Sequence, residues 1–586
     1  MSLARSNDVP LDILNAFQDT IKHREKHVAN KNVAGIKPSR RPGAPIKFGV
    51  IDFSDVMVLG KRQVRITMVT KSGAITLDVT DDDAFVVSLM AVMFPEEEKD
   101  FHWFCPDGKN RFIPYYKKSL MRLLSMHDYR MSMVRIDSPD SNIRVSKGDC
   151  AWWITDWNAA QNITLSGSSY DASTLDDGTG DPEAMLTRFY SDICAIQEFA
   201  LLEFGVSMRK TVASTGKNLF RRSMNDGAVL TRPTPQVFAA CVEGKLMRQG
   251  YLAHVKHEGI ASEEDIRRQY ASILGNALPQ KLVLDRGVVC GERREGFFLC
   301  RVRGTGMYPI KIAPYNPVKG TFEHEYWQGG SVICWLASSE YEGIERLGYQ
   351  IEPVWGWRIT EWLNVRPLVE KLQVLVNMHK PDSPTGQYCK MIGNAMIGRF
   401  STSSRFESQL YSTTQPEGCW PHQDPETGIE TPNVWIRRQR NYDGWQQPAI
   451  TAYIYGAART QLYLRMAQHH DLGHQIIHVC TDSIMVAGRL ADMHYPSNPQ
   501  FGDWRVEQES VPVAVEGNNK YMLGRKVKNM GTGSTTLMQK AFDRAKMGTH
   551  RQKPLDAPTA SFVSDLYKVV AGLDLRTAFV APSRSD

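Results

Sequence analysis

A short segment at 474–489, H-Q-I-I-H-V-C-T-D-S-I-M-V-A-G-R, constrains the fold of this chain more than any other stretch. Two runs of β-branched and apolar residues, Ile476–Val479 and Ile484–Val486, flank a four-residue polar centre from Cys480 to Ser483. Strand-forming runs separated by a short polar stretch are typical of a β-hairpin. The pattern therefore predicts a hairpin that carries the carboxylate of Asp482 at its tip.

A carboxylate held on a rigid turn suits a hard cation such as Mg²⁺, which prefers oxygen ligands. The palm of nucleotidyl-transfer enzymes presents a metal-binding acid in this way. Thr-Asp-Ser is also an ordinary turn sequence. The segment alone therefore leaves both interpretations open, and the rest of the chain must decide between them.

Composition and charge favour a folded protein with an anionic partner. With 42% hydrophobic and 10% aromatic residues, the chain is globular rather than disordered, and its 586 residues are enough for several domains. The formal net charge is only +6, but Lys520 to Lys553 contain nine Lys and Arg residues against one acid, Asp543. Such a block, with Tyr521 and Phe542 in it, suits a phosphate backbone. For any single lysine, a solvated helix face is the alternative.

The ten cysteines are scattered singly, without a C-x-x-C pair or a Cys/His cluster at zinc spacing. This pattern predicts a reduced, intracellular protein. We find no signal-peptide pattern at the N-terminus and no apolar run near the ~20 residues that span a bilayer. The expected location is the cytoplasm, with an organelle matrix as an alternative compartment.

Three carboxylates in the N-terminal part suggest a metal-dependent nuclease site. Three strand-like runs follow Ile46, and the first of them is expected to end at Asp52. A loop, F-H-W-F-C-P-D-G, offers Asp107, and a helical pattern from Pro182 to Phe204 carries Asp192. Carboxylates are common, so their spacing alone does not establish a two-metal site.

Two further helical patterns offer candidate site residues. The run S-E-E-D-I-R-R-Q-Y-A places Asp265 just before a helix, although Ser262 with Asp265 also fits a capping box. In the helix K-M-I-G-N-A-M-I-G, Lys390, Asn394 and Ile397 follow at i, i+4 and i+7 and are expected on one face. A Gly-containing helix with a lysine and an amide on one face could line a triphosphate.

In this order, these segments resemble a family B DNA polymerase of the protein-primed subgroup used by small phages and linear plasmids. The first palm signature is similar to D-I-R-R-Q-Y-A from Asp265, with the Asp and Tyr kept. The finger-helix signature K-x-x-x-N-S-x-Y-G is matched at Lys390 to Gly398, where the Ser and Tyr are lost. The second palm signature, D-T-D-S, stands here as C-T-D-S, with Cys480 at its first Asp and Asp482 at its metal-binding Asp.

Shorter matches extend the resemblance over most of residues 48–530. R-Q-G-Y at Arg248–Tyr251 resembles the motif that joins nuclease to polymerase, and G-N-N-K-Y resembles the K-x-Y thumb motif with Asn519 at the Lys. In the exonuclease part, D-F-S-D has Ser54 where the family has Glu, and Trp103 replaces an Asn in the second motif.

The resemblance implies a mixed α/β (α+β) fold, with an RNase H-like exonuclease-type domain followed by the palm, fingers and thumb of a right-hand polymerase. The implied boundaries are a basic tail at 1–47, the exonuclease-like domain at 48–215, palm and fingers at 216–510 with insertions near 300–345 and 401–447, and thumb and C-terminal segment at 511–586.

It also implies template-directed DNA synthesis with two Mg²⁺ or Mn²⁺ ions bound by Asp265 and Asp482. Primer-template DNA, deoxynucleoside triphosphates and a terminal priming protein are the implied partners, with no membrane. Tyr270, Lys390 and Asn394 are the expected nucleotide contacts. The expected DNA contacts are Lys520, Tyr521, Arg525, Lys526 and Lys528.

The exonuclease-like acids are Asp52, Asp107 and Asp192, and with Ser54 in place of Glu we expect weak or absent hydrolysis. The rival hypothesis is a non-catalytic polymerase-fold protein that binds nucleic acid or a replication partner, motivated by Cys480, Ser54 and Ile397. Retention of both palm acids favours the enzyme.

Overall fold

The computed structural model describes most of the chain between residues 36 and 529. The described ranges are 36–39, 41–58, 61–79, 92–94, 100–106, 130–134, 142–147, 149–161, 163, 181–226, 228–230, 233–242, 244–248, 250–285, 294–381, 383–401, 404–411, 413–417, 419–423, 430–441, 446–517 and 520–529.

The strands are, in chain order, β1 (Lys47–Val58), β2 (Lys61–Thr70), β3 (Gly73–Val79), β4 (Phe101–Cys105), β5 (Arg130–Val134), β6 (Asn142–Lys147), β7 (Cys150–Asp156), β8 (Leu252–His254), β9 (His257–Ile266), β10 (Leu278–Asp285), β11 (Gly296–Ile312), β12 (Tyr315–Asn316), β13 (Thr321–Phe322), β14 (Glu325–Ala337), β15 (Gln350–Leu363), β16 (Ser404–Tyr411), β17 (Trp420–Gln423), β18 (Glu430–Asn441), β19 (Ile476–Cys480), β20 (Ser483–Ala487), β21 (Trp504–Gly517), β22 (Lys520–Leu523) and β23 (Lys526–Asn529).

The helices are α1 (Trp157–Gln161), α2 (Pro182–Phe204), α3 (Val212–Ser223), α4 (Pro235–Val242), α5 (Gln269–Leu274), α6 (Tyr341–Arg346), α7 (Arg366–Met378), α8 (Pro384–Ser401) and α9 (Pro448–Asp471), with a 3₁₀ turn at Ser338–Glu340. The described helices include none long and apolar enough to cross a membrane.

The chain divides into two compact units. We call the first the hairpin unit; of the described residues it contains Ile36, Ala228–Val369 and those from Gln447 on. The second, the ten-strand unit, contains Lys37–Gly227 and Glu370–Gln446. The domain boundaries expected from the sequence stay predictions.

The hairpin unit contains a seven-stranded sheet in the order β23-β22-β21-β9-β20-β19-β8 and a four-stranded sheet in the order β10-β15-β11-β14. The predicted hairpin is confirmed as β19 and β20, whose continuous apolar runs are buried on both faces of the sheet. Its residues Ile476, Val479 and Ile484 share one core with Leu462 and Met466 of α9. The long helix that precedes the hairpin therefore covers the inner face of this sheet.

The ten-strand unit contains one sheet in the order β17-β18-β16-β5-β6-β7-β4-β1-β2-β3. Helix α2 covers β1 and β2 and has the predicted bounds; Asp181 caps its N-terminus and Gly205, at a φ of 62°, ends it. The strands of the 401–447 segment join this sheet, because β16 pairs with β5 at Phe406 and Val134.

The expected end of the first strand at Asp52 was wrong. Strand β1 continues to Val58, and its pairing with β2 runs without a register shift from Val50 to Val58. The extension is stabilised by ladder hydrogen bonds to β2, which the local sequence does not reveal. No β-bulge interrupts the backbone at Ser54 in this ladder.

Candidate active site

The central strands of the seven-stranded sheet bring Asp265 and Asp482 together. Asp265 lies near the end of β9, where it pairs with Ser483 of β20, the residue that follows Asp482. The backbone N–H of Ile266 donates to the carbonyl oxygen of Asp482 at 2.8 Å. Two acids 217 residues apart in sequence, from 265 to 482, are thus neighbours, one near the end of β9 and the other on the turn that precedes β20.

The turn that carries Asp482 rests on a glycine. Thr481 has a φ of 58°, and its N–H donates to the carbonyl oxygen of Tyr251 at 2.8 Å. A Cβ on Gly250 would lie 2.8 Å from the Cα of Thr481, closer than real Cβ contacts allow. Gly250 and Tyr251 therefore contact the hairpin tip directly, and the absence of a side chain at Gly250 permits this close approach.

Asp265 and Asp482 are two neighbouring carboxylates that are partly shielded from water, which affects the pKa of Asp482. Burial first, and then the charge of Asp265, raise the pKa of Asp482 to about 6, against the opposing effect of Lys528 and Lys526. The carboxylate of Asp265 is held by Arg505, whose Nε and Nη2 donate to its two oxygens at 2.8 and 3.2 Å. A cation is therefore already favoured beside these acids.

The pair fits Mg²⁺ as proteins commonly bind it, through one or two carboxylates together with substrate phosphates and water. Among the described residues, no group of three or more His, Cys, Asp or Glu side chains is placed to hold a metal ion. Asp265 and Asp482 are the acids that would hold such an ion. Asp107, which was expected in the exonuclease-like domain, lies outside the described residues.

The alternation of β9 adds two acids that the sequence analysis missed. Glu263 lies on the same side of the strand as Asp265, and Lys526 donates to its oxygens at 2.9 and 2.6 Å. Glu264 points to the opposite side, where Arg465 and His469 bind it at 2.6 and 2.8 Å. The sequence signal was a run of three acids, because successive side chains of a strand point to opposite faces of the sheet.

Glu264 anchors β9 to α9. Although burial opposes ionisation, the hydrogen bonds and charges of His469 and Arg465 lower the pKa of Glu264 to about 2. A carboxylate that keeps its charge in the core holds the strand, and with it Asp265, in a fixed position.

The capping-box alternative for Asp265 was wrong. Ser262 to Ile266 form a strand, and Ser262 Oγ donates to the carbonyl oxygen of Gly488 at 2.6 Å. The helix α5 begins only at Gln269, after Arg268, which has a φ of 53°. Strand pairing on both sides of β9 outweighs the local helix-capping pattern.

Tyr270 lies on the first turn of α5, with its ring 5.5 Å from that of Tyr455 on α9. Burial first, then the charges of Tyr455 and Asp482, raise the pKa of its hydroxyl above the ordinary value. The ring therefore remains neutral and lies close enough to Asp482 to be affected by its charge.

The basic hairpin β22–β23 lies two strands away from β9. Tyr521 is buried with its ring 4.9 Å from that of His478, and the Nζ atoms of Lys526 and Lys528 lie 5.9 and 5.7 Å from the ring centroid. Arg525 is exposed and Lys520 half-buried. Their DNA contacts stay predictions, as do those of Tyr521, Lys526 and Lys528.

Cys480 pairs with Ser483 across the hairpin, and burial raises the pKa of its thiol. A thiol that stays protonated is a poor ligand for Mg²⁺. Of these two hairpin residues, Asp482 is therefore the one whose side chain suits Mg²⁺.

A buried cluster of charged side chains binds the segment that contacts the hairpin tip, and the sequence analysis missed this cluster. Arg248 donates to Glu340 at 2.9 and 2.7 Å, and Arg459 of α9 donates to the same carboxylate at 3.1 Å. Lys311 donates to the carbonyl oxygen of Gly250 at 2.9 Å. Burial first, then Arg459 and Arg248, lower the pKa of Lys311 to about 7.

The finger-helix residues lie in the ten-strand unit, on α8. Lys390 and Asn394 are exposed, as expected for neighbours on one helix face. Ile397, one turn farther along the same side of the helix, is buried with Met396 and Phe400. Its apolar side chain favours the interior of the unit over a polar surface. Nucleotide contacts by Lys390 and Asn394 stay predictions.

The described exonuclease-like acids lie on adjacent elements of the ten-strand unit. Asp52 is buried on β1, and Asp192 is half-buried on α2, which packs on β1 and β2. Burial raises the pKa of Asp192.

Neither protein-family models nor curated protein sequences match this chain. Solved structures do match it. The phi29 DNA polymerase in an orthorhombic crystal form is 13% identical in sequence to this chain, with a TM-score of 0.57. Its ternary complex with primer-template DNA and incoming nucleotide is also 13% identical, with a TM-score of 0.58. The post-translocation complex with primer-template DNA is 14% identical in sequence, with a TM-score of 0.55. In each case the match covers 85% of this chain and 94% of the other.

The chain therefore has the mixed α/β fold of phi29 DNA polymerase, and the predicted fold class is confirmed. Its place in the protein-primed subgroup stays a prediction.

Proposed function

We propose that this protein is a template-directed DNA polymerase that adds deoxynucleotides to a primer hydroxyl by two-metal-ion catalysis. The observation that carries the proposal is the juxtaposition of Asp265 and Asp482 at the tip of the central hairpin, in a chain with a polymerase fold. Mg²⁺ or Mn²⁺ would supply a lowered pKa for the primer 3′-hydroxyl and charge neutralisation at the phosphates.

The chain's own residues hold and orient the reactants. Asp265 and Asp482 would hold the ions, and the close contact of Gly250 with Thr481 fixes the turn of Asp482. Tyr270 closes the sugar pocket against a 2′-hydroxyl, and Lys390 with Asn394 binds the triphosphate. Lys520, Tyr521, Arg525, Lys526 and Lys528 belong to the hairpin that holds the DNA through phosphate contacts.

Ion binding requires a rearrangement at Asp265, because Arg505 occupies both of its oxygens. Arg505 also pairs with Glu507, which lies near enough to Asp265 for their charges to interact. We propose that the guanidinium swings to Glu507 when metal and nucleotide enter, so that one cation replaces another beside Asp265.

The same ion pair favours a second candidate function, a catalytically reduced polymerase-fold protein that binds nucleic acid or a replication partner. An arginine that stayed on Asp265 would neutralise the site without metal. Cys480, which stands where the family has an Asp, also favours the catalytically reduced protein. Primer extension separates the two functions, because the reduced protein binds DNA without extending it.

We place the activity in the replication of a phage or linear replicon, with a terminal protein as one of the primers and a cytosol-like compartment as its setting. The described cysteines are free thiols, in keeping with a reducing environment. The exonuclease-like domain is proposed to hydrolyse DNA weakly or not at all.

The test is extension of a labelled DNA primer on four templates that differ only in the first unpaired base. With Mg²⁺ present, the proposal expects incorporation of the complementary deoxynucleotide on each template. Incorporation independent of the template base, or DNA binding without any extension at either Mg²⁺ or Mn²⁺, would contradict it.

A further inference from the structure

The ten-strand unit contains a basic cavity that the proposed polymerase function does not use. Its volume is about 230 Å³. It lies at the amino-terminal ends of β1 and β4, where Ile46 precedes β1. The polar residues that line it are His102, Arg209, Lys210, Ser214, Lys217 and Asn218.

Helix α3 and the residues before it supply most of this lining. Ser214 and Lys217 are three residues apart on the first two turns of the helix, and Arg209 and Lys210 directly precede its N-cap. Thr211 caps the helix and bonds to the hydroxyl of Ser214 at 2.8 Å. Arg209 is held by Ala44, whose carbonyl oxygen accepts from its Nη1 at 2.8 Å.

His102 closes the cavity from the sheet side. It is 7% exposed, and within the described part of the chain its Nδ1 has no hydrogen-bond partner. Its ring stacks on Trp153 of β7 with 6° between the planes, and the Nζ of Lys210 lies 3.5 Å from the centroid of Trp153. A buried ring nitrogen without a partner is costly unless a ligand satisfies it.

The charges in the cavity point to an anionic ligand. Burial, followed by the charges of Lys210 and Arg209, lowers the pKa of His102 to about 3, so the ring is neutral. The cavity lining contains Arg209, Lys210 and Lys217, and no carboxylate faces them among the lining residues. Three basic side chains around one cavity give it a positive potential, which favours an anion.

We propose that this cavity binds a phosphate group, with Arg209, Lys210 and Lys217 neutralising it and His102 completing its hydrogen bonds. The volume lies below the roughly 300–1,000 Å³ of pockets for drug-sized ligands, so it suits a phosphate with its attached sugar. A phosphate in the backbone of single-stranded DNA and free inorganic phosphate share this chemistry.

The site is separate from the exonuclease-like acids of the same unit. His102 lies opposite Phe48 in the parallel pair β1–β4, whereas Asp52 lies four residues farther along β1. At about 3.3 Å per residue, that is roughly 13 Å along the strand. An effect of the cavity on DNA binding can therefore be measured without hydrolysis.

The test uses the full-length protein, a fluorescein-labelled oligothymidylate and EDTA, so that neither polymerisation nor cleavage takes part. The variants are Lys217→Gln, at a half-buried position on the helix surface, and Arg209→Gln combined with Lys217→Gln. The control is Lys71→Gln, at the exposed turn between β2 and β3. Inorganic phosphate is tested separately by its effect on the melting temperature.

If DNA supplies the phosphate, the double variant binds about tenfold more weakly, and its log–log salt slope falls by about 0.7 for each lost contact on a single strand. If free phosphate is the ligand, it raises the melting temperature of the natural protein and of Lys71→Gln but not of the variants, and DNA binding is unchanged. Variants that match Lys71→Gln in both assays overturn the proposal. A failure of primer extension leaves it untouched, because the assays contain no nucleotide or metal.

Discussion

Replacing Glu340 with Gln should destabilise the hairpin unit strongly, because one carboxylate faces two buried guanidinium groups. Arg248 and Glu340 are fully buried and Arg459 is 1% exposed. The Gln amide keeps the shape of the side chain but removes its charge. Both arginines would then stay in the core without a neutralising partner.

The expected loss is about 3–5 kcal/mol, the usual cost of removing one partner from a buried ion pair. Because the Gln amide oxygen can still accept one hydrogen bond, the loss in the free energy of unfolding should lie toward the lower end of this range. Carbonyl oxygens of Trp335 and Arg248 also accept from the two guanidinium groups, and they remain in the variant. Against a typical total of about 5–15 kcal/mol, the loss is a large fraction of the stability.

The measurement is urea unfolding followed by far-ultraviolet circular dichroism, with Glu361→Gln as the matched control. Glu361 pairs with Lys281 at 2.8 Å, but both side chains are about half exposed, so its loss should cost only about 0–1 kcal/mol. A loss in Glu340→Gln no larger than that in Glu361→Gln would refute the assignment of a charged, mutually dependent cluster beneath the hairpin tip.

Three further predictions concern the proposed chemistry. Cys480→Ala should extend primers within about threefold of the natural rate, because a protonated thiol contributes little to Mg²⁺ binding; a variant as inactive as Asp482→Asn would contradict this. Tyr270→Val should lower discrimination against ribonucleotides by up to about 10²-fold in competition assays, since a pocket wall that rejects one hydroxyl is removed; an unchanged ratio in an active variant would remove the role. Degradation of 3′-labelled single-stranded DNA should be weak in the natural protein and rise in Ser54→Glu, which restores a carboxylate; robust natural activity lost in Asp52→Ala would show that the missing acid is not needed.

Local periodicity predicted the elements that carry the site. The two apolar runs on either side of the polar centre at 480–483 predicted a hairpin, and the pattern from Pro182 to Phe204 gave the bounds of α2. Each of these signals comes from residues that are close together in the sequence, so it can be recognised without knowing the tertiary contacts. The resemblance of two segments to palm signatures then predicted that Asp265 and Asp482 would lie close together.

The rest depends on contacts between residues far apart in sequence. Arg248 and Glu340 are 92 residues apart, and Arg459 is 119 residues from Glu340, so no local pattern indicates the cluster. Strand β1 passes Asp52 because β2 pairs with it. Ser262 resembles a helix cap until strands on both sides of β9 are known. At Asp52 and at Ser262, strand pairing outweighs the local preference.

The central claim is that Asp482 and Asp265 together form the catalytic metal site. Its most direct test is single-nucleotide extension in one turnover, with DNA affinity measured in parallel, for the natural protein, Asp482→Asn and the control Asp471→Asn. Asp471 is 46% exposed, at the end of α9.

The account predicts that Asp482→Asn loses about 10³-fold in rate, since several kcal/mol of metal stabilisation disappear and each 1.36 kcal/mol is tenfold. DNA affinity should stay near the natural value, and Asp471→Asn should behave as the natural protein. Extension by Asp482→Asn at the natural rate would contradict the account.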